Sequence, residues 1–294
     1  MEKLIQKAEV LIEALPYIRA FAGKTVVVKY GGKAMVEPAL KERFAEDIAL
    51  MKFVGIRPVI VHGGGPQISE MMKRLGKEPT FVRGVRVTDS ETVGIVEMVL
   101  GGIINPEIVA LINRHGGRAV GLTGKDGPLL VAKPLRLPAG QAGSTDKKTG
   151  VDLGLVGDVD AVDPGVLQGL EASHFIPVIA PIAGGIDGKT YNVNADSAAG
   201  AIASALRAEK LLLLTDVPGI LDANSRLIPT LSKKEAQQLI RKGTIKTGMI
   251  PKVEACLAAL DGGVAKAHII DGRVPHALLL ELFTDRGIGT EILI

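Results

Sequence analysis

The sequence predicts an α/β protein, a three-layer αβα sandwich with a central, mostly parallel sheet. Three observations carry that expectation. Val26 to Val28 and Leu211 to Leu214 are unbroken apolar runs of strand length, as expected of strands buried on both faces. Amphipathic stretches of helical period lie between such runs, so strand and helix alternate along the chain. Glycine clusters follow the strands, at the end of the sheet where open α/β proteins bind ligands.

Composition narrows the function classes. The 294 residues suffice for one large or two modest domains with a real core. The net charge is only +3, basic residues are spread rather than clustered, and aromatics make up 3%, too few for base stacking. Nucleic-acid binding is therefore not expected. Cys256 is the only cysteine, which rules out an internal disulfide and a Cys-based metal site. It lies in the apolar run from Val253 to Leu260 and reads as an inert buried thiol. The N-terminus is charged and amphipathic rather than a signal peptide, and the apolar runs are interrupted before membrane-spanning length. A cytoplasmic protein without a membrane partner is the expectation.

The elements follow in order. Residues 2–21 predict a helix standing apart, with Leu4, Ile5, Ala8, Leu11, Ile12 and Leu15 on one face. Pro16 should kink it. Its apolar stripe needs a partner, either its own domain or a second subunit. Val26 to Val28 predict the first core strand, which runs into Lys29 and the pair Gly31-Gly32. Leu40, Phe44, Ile48 and Met51 mark a helix, and Pro58 to Val61 a second strand that ends in His62-Gly-Gly-Gly65. This β-loop-α-β unit predicts parallel pairing and two glycine loops side by side. Residues 81–90 suggest a turn and short strand. Two helical stretches, 91–100 and 103–112, are expected to be interrupted by Pro106. Further strands are expected at 118–122, 176–183, 211–214, 267–271 and 291–294. Helices are expected near 197–206 and 233–242 and after Pro251, which suits a first helical turn. Residues 134–152, rich in Gly, Pro, Lys and Thr, predict an exposed hairpin or flap.

Familiar signatures fail on inspection. Ala183 to Thr190 lacks the first glycine of a P-loop, and turn-forming Asn192 and Asn194 stand where its helix should begin. No Gly-x-Gly-x-x-Gly occurs. His62-Gly-Gly-Gly65 is like an esterase oxyanion loop, but no Gly-x-Ser-x-Gly elbow accompanies it. What remains suits anions: two loops of free amides, Lys29, Lys252, Arg86, and the Asn192/Asn194/Asp196 cluster. Each has a plain alternative, a solvated charge for Arg86, turn chemistry for the asparagines and a helix N-cap for Asp196. No catalytic base is evident. A carboxylate acceptor needs none, because it is ionised at neutral pH.

Six motifs, in order, make the chain similar to the amino-acid kinase family, and most closely to its branch that phosphorylates N-acetyl-L-glutamate in arginine biosynthesis. They are Lys29-Tyr-Gly-Gly, His62-Gly-Gly-Gly-Pro66, Gly84-Val-Arg86-Val-Thr, Tyr191-Asn-Val-Asn-Ala-Asp196, Leu214-Thr-Asp-Val-Pro-Gly219 and Gly248-Met-Ile-Pro-Lys252. The resemblance implies transfer of the ATP γ-phosphoryl group to the side-chain carboxylate of that substrate, with Mg2+ carried on the ATP oxygens. It implies catalytic roles for Lys29, Lys252 and Asp196. Gly64, Gly65, Arg86, Asn192 and Asn194 would hold the substrate. Gly31, Gly32, Thr215, Asp216, Gly219, Ile220, Leu221 and Met249 would hold the nucleotide. The N-terminal segment resembles an arginine-inhibited branch, with Tyr17, Lys210, His268, Glu281 and Gly287 at the inhibitor site. That branch implies a homo-oligomer, a hexamer built as a trimer of dimers, and some members bind a PII-type regulator. The implied organisation is an N-terminal kinked helix (1–21) for subunit contact, an N-terminal substrate lobe (22–198), and a C-terminal lobe (199–294) for ATP and arginine.

Overall fold

A computed structural model describes residues 1–136, 152–246 and 248–294 of the protein. The first half contains α1 (Glu2–Phe21), β1 (Thr25–Tyr30), α2 (Pro38–Phe53), β2 (Arg57–His62) and α3 (Gly65–Arg74). There follow β3 (Phe81–Val82), β4 (Val85–Arg86), α4 (Ser90–Glu97), α5 (Asn105–Arg114), β5 (Ala119–Thr123) and β6 (Leu130–Pro134). Next are β7 (Val156–Val162), α6 (Gly165–Ala172), β8 (Ile176–Ala180), β9 (Ile182–Gly185), β10 (Thr190–Val193) and α7 (Ala195–Ala205). The last part holds β11 (Lys210–Thr215), β12 (Thr230–Ser232), α8 (Lys233–Arg241), α9 (Ile250–Asp261), β13 (Lys266–Asp271), α10 (Ala277–Leu282) and β14 (Thr290–Leu293).

Eight strands form the main sheet in the order β12-β14-β13-β11-β1-β2-β8-β5. Every adjacent pair is parallel except β13 and β14. The expected three-layer architecture is therefore present. Val27, Leu211 and Leu213 face one apolar layer with α7 and α9, while Val26, Val28, Leu212 and Leu214 face the other with α2. The unbroken apolar runs follow from burial on both sides. From β1 the chain continues to β2 on one side and, after α7, to β11 on the other. The β1/β11 boundary is thus the switch point at which such sheets open a crevice for ligands.

Four shorter strands, β10, β7, β6 and β9, close into a small barrel beside the sheet. Strands β6 and β7 and the edge strand β12 were not expected from the sequence. The single strand expected over 176–183 is two strands, because Pro181 cannot continue the ladder and the chain turns from the main sheet into the barrel. The flap expected over 134–152 lies mostly outside the described residues.

Pro106 does not interrupt its helix. Ser90 to Arg114 is one helical run, with a π-helical segment over Met98–Ile104 between α4 and α5. The wider turns absorb the glycine pair and leave Pro106 in the first turn of α5, where its missing amide costs nothing. This run is long and apolar enough to cross a membrane by length and composition, contrary to the expected early interruption. Val96, Val99, Leu100, Ile104, Ile108 and Ile112 nevertheless pack in the second apolar layer.

Helix α1 runs from Glu2 through Pro16 to Phe21. Among the described residues nothing covers its apolar stripe: Leu11 is 71% exposed and Ile12 68%.

Candidate active site

The site lies where the carboxyl ends of β1, β2 and β11 meet the N-termini of three helices. Lys29 projects from β1 toward the layer of α7 and α9 and is 8% exposed. Asp196 stands in the first turn of α7 and Lys252 in the first turn of α9. These helices pack closely through small residues; a Cβ on Gly200 would stand 3.0 Å from the Ala255 carbonyl oxygen. Asp196 Oδ2 accepts from Lys252 Nζ at 2.7 Å, and Asp196 Oδ1 lies 3.1 Å from Lys29 Nζ. One carboxylate therefore spaces two ammonium groups.

The electrostatics follow from that arrangement. Burial pulls the Lys29 ammonium below the usual lysine range, Asp196 opposes this, and the nearby Lys252 adds to it. Burial alone would raise Asp196, but the two lysines overrule it and hold the carboxyl below its ordinary value. Asp196 is not the N-cap of its helix. Asn194 is, accepting from the amides of Asp196 at 2.8 Å and Ser197 at 3.1 Å. The cap leaves the Asp196 carboxylate for the lysines, and it commits the Oδ1 of Asn194, a residue expected to hold the substrate, to the helix.

Gly31 lies against Lys29, where a Cβ would collide with the ammonium group. Gly32 adopts a left-handed φ of +71°, and a Cβ there would collide with the Asp216 carboxylate. Asp216 Oδ1 accepts from the Lys33 amide at 2.6 Å, so the end of β11 holds the glycine loop of β1. Gly31, Gly32 and Asp216 thus shape the floor beside Lys29. Thr215, Gly219, Ile220, Leu221 and Met249 line a cavity of about 640 Å³, together with Lys242, Lys246 and Lys252. The two additional lysines were missed because isolated lysines in a loop give no periodic signal.

The second glycine loop runs beside the first, and the Gly63 amide donates to the Tyr30 carbonyl at 2.8 Å. Gly64 and Gly65 lead into α3. Arg86 is 6% exposed and donates to the Gly65 carbonyl at 2.9 Å and to Ser69 Oγ at 2.7 Å, with its guanidinium over the Phe81 ring. Burial lowers its pKa, and no ion pair to it occurs among the described residues. A buried guanidinium without a carboxylate is a group prepared for an anionic ligand. Asn192 Nδ2 donates to Thr88 Oγ1 at 3.4 Å, which places it beside the Arg86 strand. Ser69 and Thr88, both missed from sequence, orient these groups.

A second cluster lies toward the opposite end of β11 and β13. His268 Nδ1 is 2.6 Å from Glu281 Oε1, and the Ile288 amide donates to Glu281 Oε2 at 2.7 Å. Gly287, with φ +59°, lies against that carboxylate. Burial lowers the His268 pKa although Glu281 opposes it. Lys210 sits under the Phe21 ring at 5.0 Å, and Tyr17 hydrogen-bonds Asp285. The end of α1 is thereby joined to the loop that carries Gly287. All five expected residues come into one neighbourhood.

The amino acid kinase family model matches residues 24–271. The acetylglutamate kinase of Geotalea uraniireducens is 58% identical over 293 residues, covering 100% of both chains. Among solved structures, the N-acetylglutamate synthase of Neisseria gonorrhoeae complexed with coenzyme A and N-acetyl-glutamate is 30% identical with a TM-score of 0.83 over 98% of this chain. The same synthase complexed with coenzyme A and L-arginine is 29% identical with a TM-score of 0.78 over 97% of this chain. This chain spans 63% and 65% of the length of those synthase chains. With the lysine–aspartate–lysine centre, the paired glycine loops and a match over most of its length, the chain belongs to the amino acid kinase family.

Proposed function

We propose that the protein transfers the γ-phosphoryl group of ATP to the side-chain carboxylate of N-acetyl-L-glutamate, giving N-acetylglutamyl 5-phosphate and ADP for arginine biosynthesis in the cytoplasm. The observation that carries this reading is the pair of ammonium groups, Lys29 and Lys252, spaced by Asp196 beside two amide loops. In this reading a carboxylate oxygen attacks the γ-phosphorus as the bond to the β-phosphate oxygen breaks. No proton has to move, so this reading asks for no base at the site. Lys29 and Lys252 offset the charge that spreads over the transferring oxygens. The amides of Gly64 and Gly65 hold the reacting carboxylate, and Arg86 grips the α-carboxylate. Asn192 and the remaining donor of Asn194 face the acetylamino end. ATP enters the cavity by Thr215, Gly219, Ile220, Leu221 and Met249, with Mg2+ on its phosphate oxygens.

The same reading divides the chain into a substrate lobe (22–198) and a nucleotide lobe (199–294) that share one sheet. It makes the His268/Glu281 cluster the seat of inhibition by L-arginine, where Glu281 would pair with the ligand's guanidinium. That a related synthase was solved in complex with L-arginine supports arginine as a ligand of this fold. The uncovered stripe of α1 supports a homo-oligomer, the expected hexamer as a trimer of dimers.

The test is ADP release with MgATP and N-acetyl-L-glutamate, titrated with L-arginine, with glutamate, aspartate and carbamate as controls. Turnover confined to the acetylated acceptor and suppressed by arginine is expected. Equal turnover with carbamate or aspartate would overturn the acceptor assignment, and turnover insensitive to arginine would overturn the regulatory one.

A further inference from the structure

The second glycine loop is held by a buried polar pair that the phosphoryl transfer does not itself use. His62 is fully buried at the end of β2. Its Nδ1 lies 2.9 Å from the Gly63 carbonyl oxygen and its Nε2 lies 3.2 Å from Asn105 Nδ2. A carbonyl oxygen only accepts, so Nδ1 carries the proton and donates. Nε2 is left as acceptor for the Asn105 amide. Burial pushes the ring down to about 4, so it stays neutral near pH 7. Asn105 is itself buried, directly after the π-helical segment, and also donates to the Val178 carbonyl at 2.9 Å. Gly64 rests on that segment, where a Cβ would stand 2.5 Å from both Leu100 and Ile104.

The consequence is geometric. The Gly63 carbonyl and the Gly64 amide belong to one planar peptide unit and point in opposite directions. Fixing the carbonyl toward the His62 ring fixes the Gly64 N–H away from it. The next unit is set separately, because the Ile68 amide donates to the Gly64 carbonyl at 2.9 Å in the first turn of α3. We propose that His62 and Asn105 are positioning residues for the acceptor. Asn105 selects the Nδ1–H tautomer of His62, and that tautomer aims the Gly64 amide at the reacting carboxylate. The inference rests on the acceptor reading above.

Two substitutions separate the ring's two bonds. In His62→Asn the amide donor takes the place of Nδ1–H and keeps the Gly63 contact. In His62→Gln the amide oxygen takes the place of Nε2 and keeps only the Asn105 contact. Loss of a whole oxyanion donor costs about 10²–10³-fold, and misaiming one costs part of that. His62→Gln should therefore lose about 10–100-fold in kcat/KM for N-acetyl-L-glutamate, at least about tenfold more than His62→Asn. KM for ATP should stay within about twofold in both, by the same attribution of the effect to acceptor alignment alone.

A second measurement needs neither variant nor substrate. Long-range 1H–15N NMR of the wild type should show neutral His62 protonated on Nδ1 alone, and Asn105→Asp, which offers Nε2 an acceptor, should place a proton on Nε2. Equal kcat/KM for the two His62 variants at matched melting temperatures, or an Nε2–H ring in the wild type, would overturn the proposal. A wild type inert toward the acceptor would overturn it by removing the acceptor reading. That outcome is distinguishable because the tautomer is read without substrate.

Discussion

At the scale of residues, the decisive feature is one carboxylate holding two ammonium groups in a buried setting. Such a triad is poor evidence for stability, since apolar side chains often serve a core as well. Its value lies in charge placed before the reaction begins. Lys29→Ala should lower kcat by about 10²–10³, as for loss of one preorganised donor. Gly31→Ala should lower kcat in the same direction, because a Cβ there occupies the space of the Lys29 ammonium. A steady-state assay at saturating substrates checks both, and an unchanged kcat in Lys29→Ala would remove Lys29 from the mechanism. Lys29, Asp196 and Lys252 were legible in the sequence because each sits in a motif at a strand or helix end. The split of labour between Asn194 and Asp196 was not, since either side chain can cap a helix and only the fold shows which one does. Cys256 is buried and its thiol is pushed up by burial, in keeping with the inert role expected of it.

At the scale of elements, the contact between α2 and α10 bridges the two proposed lobes. Asp47 of α2 is buried and lies 2.6 Å from His276 Nδ1 at the start of α10. Burial raises the Asp47 pKa to about 6, with His276 opposing. The folded state therefore binds this proton more tightly than the unfolded chain, whose Asp titrates near 3.9. The sign is that stability from this group rises as pH falls from about 6 to about 4, and is absent above that window. Asp47→Asn should remove this pH dependence, and urea midpoints of wild type and variant between pH 4 and 7 test it. Parallel midpoint curves would show that Asp47 does not titrate there. The sequence marked α2 by its apolar spacing but gave no sign of this pairing, because 229 residues separate the partners. The π-helical segment was hidden for a similar reason. Pro106 reads as a breaker wherever the preceding backbone is regular, and the wider turns before it, which pack against Gly64, have no periodic signature.

At the scale of the whole molecule, α1 is the element whose surface is unfinished. Burying a large aliphatic side chain is worth about 1.5–3 kcal/mol, so the stripe from Leu4 to Leu15 carries a strong drive to associate. Tyr17 and Phe21, at the far end of the same helix, touch the neighbourhood of His268 and Glu281. The proposed subunit contact and the proposed inhibitor site, on one helix, would move together. Removal of residues 1–21 should leave a dimer with weakened arginine inhibition, measured by sedimentation velocity and by inhibition titration. A truncated chain that remains hexameric would sink this link.

The sequence by itself determined the fold class, the central strands and the glycine loops, because burial on both faces demands unbroken apolar runs and tight turns demand glycine. It also marked the charged residues at motif positions. Only the tertiary structure decided which of those charges meet, because Lys29, Asp196 and Lys252 are brought together by helix packing rather than by neighbourhood in the chain. It alone placed β6, β7, β9 and β10 in a barrel, since short strands of mixed character acquire their pairing only from the partners they find. It alone left the face of α1 bare, because periodicity shows that a helix has an apolar side and not what covers it.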